Sequence, residues 1–239
     1  METHALDRKS SGVILFCWTA RLLGFALLVS CALSIVSEGQ IPTQPRTSSE
    51  KEGVKAFGPV LDRFSVDLKL IQTSELGAAD EYNAGDVNLV LGRTTSAILD
   101  RIPAGDLPLA TYVKRRVPAP VDTAQVFVSR SEADTRFTVL KELLSKLTSL
   151  PAFRLNMQVT TQPPKAAFDL VSAGGTHIST TTNDELTNVY RGEYDYTVSK
   201  QGYKSVHASI DLVDRAGTLL SCELLPENDP QAALPCTLK

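Results

Sequence analysis

The N-terminal segment constrains this chain more than any other feature. Residues 12–36 are almost entirely apolar, and Arg21 is the one charged residue among them. A soluble helix of this length would need a polar face, which these residues lack, so we expect a membrane-targeting helix. Together with Arg21, Arg8 and Lys9 outnumber the acidic residues that precede the segment, which favours a cytoplasmic N-terminus. The remainder is therefore predicted to be extracytoplasmic and membrane-anchored, in the periplasm or at the cell surface.

Three fates compete for residues 1–37: a cleaved signal peptide, an uncleaved signal anchor, or acylation of a cysteine. The apolar stretch ends in Leu28, Val29, Ser30 and Cys31, which resembles a bacterial lipoprotein signal box. The resemblance implies cleavage before Cys31 and a lipid on that residue, so the membrane is the first expected partner. An uncleaved anchor is the alternative, because residues 13–18 are also apolar and lengthen the segment towards a full span.

Residues 38–53 are rich in polar residues and prolines and show no apolar periodicity. Such a stretch buries too little apolar surface to order itself, so we predict a disordered tether.

Residues 54–151 carry helical periodicity. Apolar side chains recur at three- and four-residue spacing over residues 54–71, which predicts an amphipathic helix. Residues 86–100 are a second helix candidate, although the part at 87–91 would also suit a short strand. A third helix is expected after Ser129, which begins a capping-box pattern, and should stop before the next proline.

Four prolines interrupt residues 102–121, so we expect mostly loop or extended structure there. This stretch contains Lys114, Arg115 and Arg116. These cations could contact anionic lipid headgroups or an acidic partner, but a solvated loop is the ordinary interpretation of three adjacent charges, and we favour it.

The periodicity changes from helical to two after residue 152. Apolar and polar residues alternate around 155–159, 166–170, 194–198 and 208–212, with glycine-containing turns between these runs. This pattern predicts a small antiparallel β-sandwich with a C-terminal tail over residues 152–239. The predicted fold class is α+β: a targeting helix, a mainly helical region at 54–151, and then the sandwich.

The sandwich residues are similar to a known family. Residues 163–168 (Pro-Pro-Lys-Ala-Ala-Phe), then residues 191–198, then Gly202 and Tyr203 follow one another as in a PEGA-type surface domain. The Gly-Tyr pair fits the family pattern, whereas the signature Pro-Glu-Gly-Ala stretch reads Pro-Lys-Ala-Ala here. The resemblance covers about residues 157–225. It implies a small extracytoplasmic β-sandwich used for binding or spacing, with no catalytic residues.

Several polar side chains are of the types that form a hydrolytic or metal site. They are His207, Ser209 and Asp211 on one predicted strand, with His177, Glu193 and Asp195 nearby. The solvated face of half-exposed strands explains the same alternation, and the sequence contains no metal-binding spacing, nucleophile elbow or phosphate-binding glycine loop. We therefore predict no catalytic residue, no metal and no cofactor.

Two tyrosines at predicted turns, Tyr190 and Tyr203, are candidate binding residues for a sugar or a peptide. Tyr194 and Tyr196 are excluded, because they share strand parity with Val198 and should face the core.

Cysteine positions agree with export. Outside the targeting segment the chain has two cysteines, Cys222 and Cys236, and an oxidising compartment predicts a disulfide between them. A net charge of -3 gives no reason to expect a nucleic acid partner.

The predicted function follows from compartment and fold class. We expect a non-catalytic cell-envelope protein, a binding or structural module that contacts an envelope protein or the wall polysaccharide. The alternative is an exported hydrolase or metal-dependent enzyme that uses the polar strand face around His207.

Overall fold

The computed structural model describes residues 51–73, 80–215 and 218–239, all of them within the unit Thr47–Lys239. The predicted targeting segment, with Cys31, and most of the predicted tether lie outside the described residues. Within the described part, none of the helices is both long and apolar enough to cross a membrane. The architecture of this part is α+β, as predicted.

Helices dominate the first half of the described chain. They are α1 (Glu52–Thr73), α2 (Ala84–Leu99), α3 (Leu107–Arg116) and α4 (Arg130–Thr148). α1 buries Phe57, Val60 and Phe64 at helical spacing and contacts both α2 and α4. The ambiguous second candidate is a helix: the side chain of Asn83 caps α2 by accepting hydrogen bonds from the first backbone N–H groups.

The predicted start of α4 after Ser129 is confirmed. Ser129 is the N-cap, and its hydroxyl accepts a hydrogen bond from the backbone N–H of Glu132 at 3.3 Å. The helix ends at Thr148, before Pro151, and buries Phe137, Leu140 and other apolar side chains on one face. This helix therefore starts, ends and packs as its sequence indicates.

The prediction of mostly loop at residues 102–121 is wrong, because α3 occupies the centre of that stretch. Asp106 is its N-cap and accepts a hydrogen bond from the backbone N–H of Leu109 at 3.1 Å. Pro108 lies in the first turn, where a proline costs no helical hydrogen bond. The cations Lys114, Arg115 and Arg116 occupy the last turn, where positive charge interacts favourably with the helix dipole.

A two-stranded sheet was not predicted. It pairs β1 (Glu81–Asn83) with β2 (Phe127–Ser129) in antiparallel orientation, and each strand leads directly into a helix. Strands of three residues are too short for alternation to be recognised in a sequence.

The remaining strands are β3 (Arg154–Gln162), β4 (Ala167–Ser172), β5 (His177–Thr181), β6 (Glu185–Tyr190), β7 (Glu193–Ser199), β8 (Val206–Asp211), β9 (Thr218–Glu223) and β10 (Thr237–Leu238). They form two four-stranded sheets, in the orders β10-β9-β3-β6 and β5-β4-β7-β8. The expectation of a purely antiparallel sandwich is corrected at one pair: β3 and β9 are parallel. That pairing joins strands distant in sequence, which local alternation does not reveal.

Two apolar cores lie in the described residues. The helical core contains Phe57, Leu140 and their neighbours, and the sandwich core combines side chains of both four-stranded sheets, such as Met157 and Phe168. Val213, which follows β8, belongs to the helical core, and Phe153, which precedes β3, packs against it. The two cores are thus joined by shared segments, and the predicted division into domains stays a prediction.

The start of α1 contacts the end of α4 so closely that only glycine fits. A Cβ atom added at Gly53 would lie 2.2 Å from the carbonyl oxygen of Leu147, and the backbone N–H of Gly53 donates to the carbonyl of Leu150 at 3.0 Å. The neighbouring Glu52 accepts a hydrogen bond from the backbone N–H of Phe153 at 2.7 Å. This contact ties the first described helix to the beginning of the sandwich.

We therefore expect Gly53→Ala to lower the free energy of unfolding by about 1–3 kcal/mol, because the added methyl group overpacks a main-chain contact. Gly92→Ala is the matched control, since no described atom outside the backbone of its own helix lies within 4 Å of a Cβ added there. That change in the interior of α2 should stabilise by about 0.5–1 kcal/mol through helix propensity. Urea unfolding measures both variants, and equal stabilities would contradict the close approach at Gly53.

Candidate functional site

The sheet β5-β4-β7-β8 presents a polar face to solvent, and it contains the side chains of the predicted hydrolase alternative. Strand register places Thr197 opposite His207, Asp195 opposite Ser209, and Glu193 opposite Asp211. On the other side of β7, Asp169 lies opposite Thr197, and His177 on β5 lies opposite Val171 on β4. The structure therefore brings the candidates onto one face, as their sequence parity indicates.

Their hydrogen bonds run between neighbouring strands. Ser209 donates its hydroxyl to a carboxylate oxygen of Asp195 at 2.6 Å, and His207 Nδ1 lies 2.9 Å from the hydroxyl of Thr197. A hydrolytic nucleophile would need its hydroxyl on a base such as histidine, and Ser209 is directed to an aspartate instead. No group of three or more side chains suited to hold a metal ion occurs in the described residues. In the described structure this face offers hydrogen bonds to a docked surface and does not pair Ser209 with a histidine; the hydroxyl that lies against His207 is that of Thr197.

A second histidine on this face is paired in the same manner. His177 Nε2 lies 3.1 Å from Asp169 Oδ1. The Ser179 hydroxyl and then His177 stabilise the ionised carboxyl, which lowers the pKa of Asp169. Both side chains are largely accessible to water, so this pair contributes little to stability.

The structure does not bring the two candidate tyrosines together. Tyr190 ends β6, where the Arg154 guanidinium lies 4.6 Å from its ring centre and donates a hydrogen bond to its hydroxyl at 2.9 Å. Tyr203 forms an isolated antiparallel β-bridge with Pro226, and its side chain packs against the sandwich core. The whole of β7, about 20 Å of strand, lies between them in the chain, and both are only half-exposed. Tyr190 and Tyr203 therefore lie near opposite ends of β7, and their role as binding residues stays a prediction.

The predicted disulfide is present between Cys222 in β9 and Cys236. The backbone N–H of Cys236 also donates to the hydroxyl of the buried Tyr196 at 3.0 Å. The bond and this contact hold the C-terminal segment beside the sandwich. A cleft of about 540 Å³ lies there, lined by Thr160, Ser221 and other mostly uncharged side chains.

Sequence reasoning missed the residue that joins the helices to the sandwich. The side chain of Arg191, between β6 and β7, is 1% exposed and donates to main-chain carbonyl groups. Its Nε binds Ala152, and its Nη1 binds Val213 at 2.8 Å as well as Leu212 and Arg215. It makes no ion pair in the described part of the chain, and burial lowers its pKa. An arginine beside a glycine in a turn gives no sequence signal for such a position.

Asp106 is the second buried charge at this junction. It is 1% exposed; one carboxylate oxygen accepts the N-cap hydrogen bond, and the other has no hydrogen-bond partner among the described residues. Burial raises the pKa of Asp106 to about 6, while the Leu109 N–H and the charges of Arg154 and Arg191 act in the opposite direction. An aspartate two residues before a proline is a helix-start pattern, so the sequence contained a signal for its capping role.

Ion pairs fasten both α3 and α4 to the sandwich. Arg116 in the last turn of α3 binds Glu193 of β7, and Arg115 lies 3.9 Å from the same carboxylate. Lys146 of α4 bridges Asp211 at 3.3 Å and Asp214 at 2.8 Å. The start of α3 also lies very close to the residue before β7: a Cβ atom added at Gly192 would lie 2.7 Å from Pro108 Cβ. Arg115 and Arg116 therefore contact this chain's own acidic residue and do not lie in a solvated loop.

The raised pKa of Asp106 predicts a pH dependence of stability. The unfolded carboxyl ionises near pH 3.8, but the folded one stays neutral until about pH 6, so unfolding becomes easier as pH rises through that window. The free energy of unfolding of the wild type should fall by about 2–3 kcal/mol between pH 4 and pH 7. We expect Asp106→Asn to show no such fall, because asparagine caps the helix without acquiring charge.

Urea unfolding of wild type and variant at several pH values measures this difference. Asp122→Asn is the matched control, since Asp122 is exposed and also accepts a backbone hydrogen bond, from Ala124 at 2.9 Å. If Asp106→Asn and Asp122→Asn gave the same pH profile, the buried carboxyl would not be the source of the effect.

The chain matches no protein-family model, and a search of curated proteins returns no significant match.

Proposed function

We propose that this protein is a non-catalytic module of the cell envelope, anchored at the outer face of a membrane through residues 1–37 or a lipid. Its folded part would bind an envelope protein or the wall polymer. The disulfide between Cys222 and Cys236 is the observation that carries this proposal. Structural disulfides persist mainly in oxidising compartments, and these are the only cysteines outside the apolar N-terminal segment.

We also propose that residues 157–225 act as a PEGA-type binding or spacing module. Support comes from the two sheets packed around a common core over this range. Further support comes from β7, which is followed by a turn and by Tyr203 against that core. A β-sandwich hosts many unrelated functions, so the proposal rests on the exposed faces of the sheets and not on the fold itself.

The hydrogen-bond pattern of the polar sheet face argues against the exported hydrolase. Ser209 donates to Asp195, and His207 is bonded to the hydroxyl of Thr197, so Ser209 and His207 are not paired with each other as nucleophile and base. A function in binding requires only that the face remain accessible and hydrogen-bonding.

The proposal is tested by isolating the protein with its partners. Cells are crosslinked and fractionated, and the full-length protein is recovered from the membrane fraction. We expect oxidised Cys222 and Cys236 by intact mass after alkylation, and a recurrent envelope partner. The double variant His207→Ala with Asp211→Ala should recover less of that partner, because it removes two hydrogen-bonding side chains from the polar sheet face. Recovery in the cytosol with two reactive thiols would refute the proposal, as would a hydrolytic activity or bound metal lost in the double variant.

Anchoring is tested separately at Cys31. If Cys31 is acylated, the wild-type protein should partition into detergent, because an acyl chain adds about 0.8 kcal/mol of membrane affinity per buried methylene. Cys31→Ala should then accumulate as a longer, unprocessed form on a gel. An unchanged size with membrane retention in the variant would instead identify an uncleaved anchor. Cys17→Ala, in the same apolar segment, is the control and should process normally.

A further inference from the structure

A cleft of about 330 Å³ lies between α1 and α2 and is lined by residues of these helices and of the segment that follows α2. Its charged lining consists of Arg63, Arg93 and Arg101 with Asp67 and Asp100. The three guanidinium groups exceed the two carboxylates, so the cleft is locally positive although the whole chain is net negative. Ligand sites are typically concave and begin at about this size.

A buried carboxylate positions two of these arginines. The side chain of Asp67 is 4% exposed. One of its oxygens lies 3.0 Å from Arg63 Nε, one turn earlier on α1, and the other lies 3.4 Å from Arg93 Nη1 on α2. A buried carboxylate is costly without such partners. Because each oxygen holds a different arginine, Asp67 fixes both guanidinium groups at the wall of the cleft.

The arginines retain donors that Asp67 does not use. A guanidinium group has five N–H bonds in a planar fork, and the closest contact of each arginine with Asp67 is through a single nitrogen. Arg63 and Arg93 are 64% and 48% exposed, so their other N–H groups can reach a ligand. Arg101 lines the same cleft and makes no ion pair with any described residue. Pre-oriented forks of this kind suit oxyanions, which accept two parallel hydrogen bonds.

The end of α2 also borders the cleft, and an exposed helix C-terminus would repel an anion. Here the carbonyl groups of Ser96, Ile98 and Leu99 accept hydrogen bonds from the backbone N–H groups that follow them. Arg101 adds a positive charge immediately after this end. Pro59, Val60 and Ala97 supply an apolar part of the wall, against which the carbon portion of a ligand could pack.

We infer that this cleft binds the carboxylate or phosphate group of an anionic ligand, with Arg63, Arg93 and Arg101 as donors and Asp67 as the positioning residue. The inference rests on the proposed binding function and gives its ligand a chemical class. By contrast, the cleft beside α3 is lined by Glu193, Asp195 and Asp211 against Arg115, and would repel the same group.

Full-length protein in a non-ionic detergent is titrated by calorimetry with glutarate and, separately, with inorganic phosphate, with chloride keeping the ionic strength constant. We expect saturable binding of at least one anion, and the preferred anion identifies the recognised group. Arg101→Gln should weaken binding about tenfold, because one charge-assisted hydrogen bond is lost. Arg215→Gln is the matched control: it removes an exposed arginine outside the cleft and should leave binding unchanged.

Asp67→Asn separates positioning from simple attraction. This variant makes the cleft more positive, so attraction without fixed geometry would strengthen binding, whereas released arginines should bind the anion more weakly. The inference is overturned if neither anion saturates, if Arg101→Gln and Arg215→Gln behave alike, or if Asp67→Asn binds more tightly. Thermal unfolding checks each fold, and the Arg101 result stands should Asp67→Asn fail to fold. Anion binding by a protein recovered from the cytosol would refute the proposed envelope function but would support the anion-binding site in this cleft.

Discussion

The buried guanidinium of Arg191 is the interaction on which the arrangement of helices and sandwich depends. A charge taken out of water costs several kcal/mol unless hydrogen bonds replace its hydration. Arg191 obtains them from carbonyl groups after α4 and after β8, at Ala152 and at residues 212–215. Those segments can satisfy the cation only while α4 and the sandwich keep their present contact. Separating them would expose the carbonyl groups and leave the charge without acceptors.

Asp106 shows the opposite response to the same environment. Arg191 keeps its charge because its N–H groups find acceptors, whereas burial raises the pKa of Asp106 to about 6, and one of its oxygens has no donor among the described residues. The two residues sit near each other without forming an ion pair within 4 Å in the described structure. α3 therefore combines an N-cap that is sensitive to pH with a last turn anchored through Arg116 and Glu193.

Local patterns predicted the elements whose signals are local. The N-cap at Ser129, the alternation around Met157 and the disulfide between Cys222 and Cys236 each appear in the structure as expected. The prolines of residues 102–121 predict loop structure, but Pro108 lies in the first turn of α3, where a helix tolerates a proline. The parallel β3–β9 pair and the contacts of Arg191 could not be predicted, since they depend on which distant segments meet.

The candidate sites differ in whether their polar groups are already satisfied. On the sheet face, Ser209 and His207 are bonded to neighbouring strands, so a ligand there would have to compete with or extend existing hydrogen bonds. In the α1–α2 cleft, Asp67 holds its arginines by one nitrogen each and leaves the remaining donors towards water. Binding free energy comes from donors that are fixed in place yet not satisfied internally, because little ordering is then required. The sequence could not indicate this cleft, since Arg63, Arg93 and Arg101 resemble ordinary surface cations until Asp67 is seen to be buried between two of them.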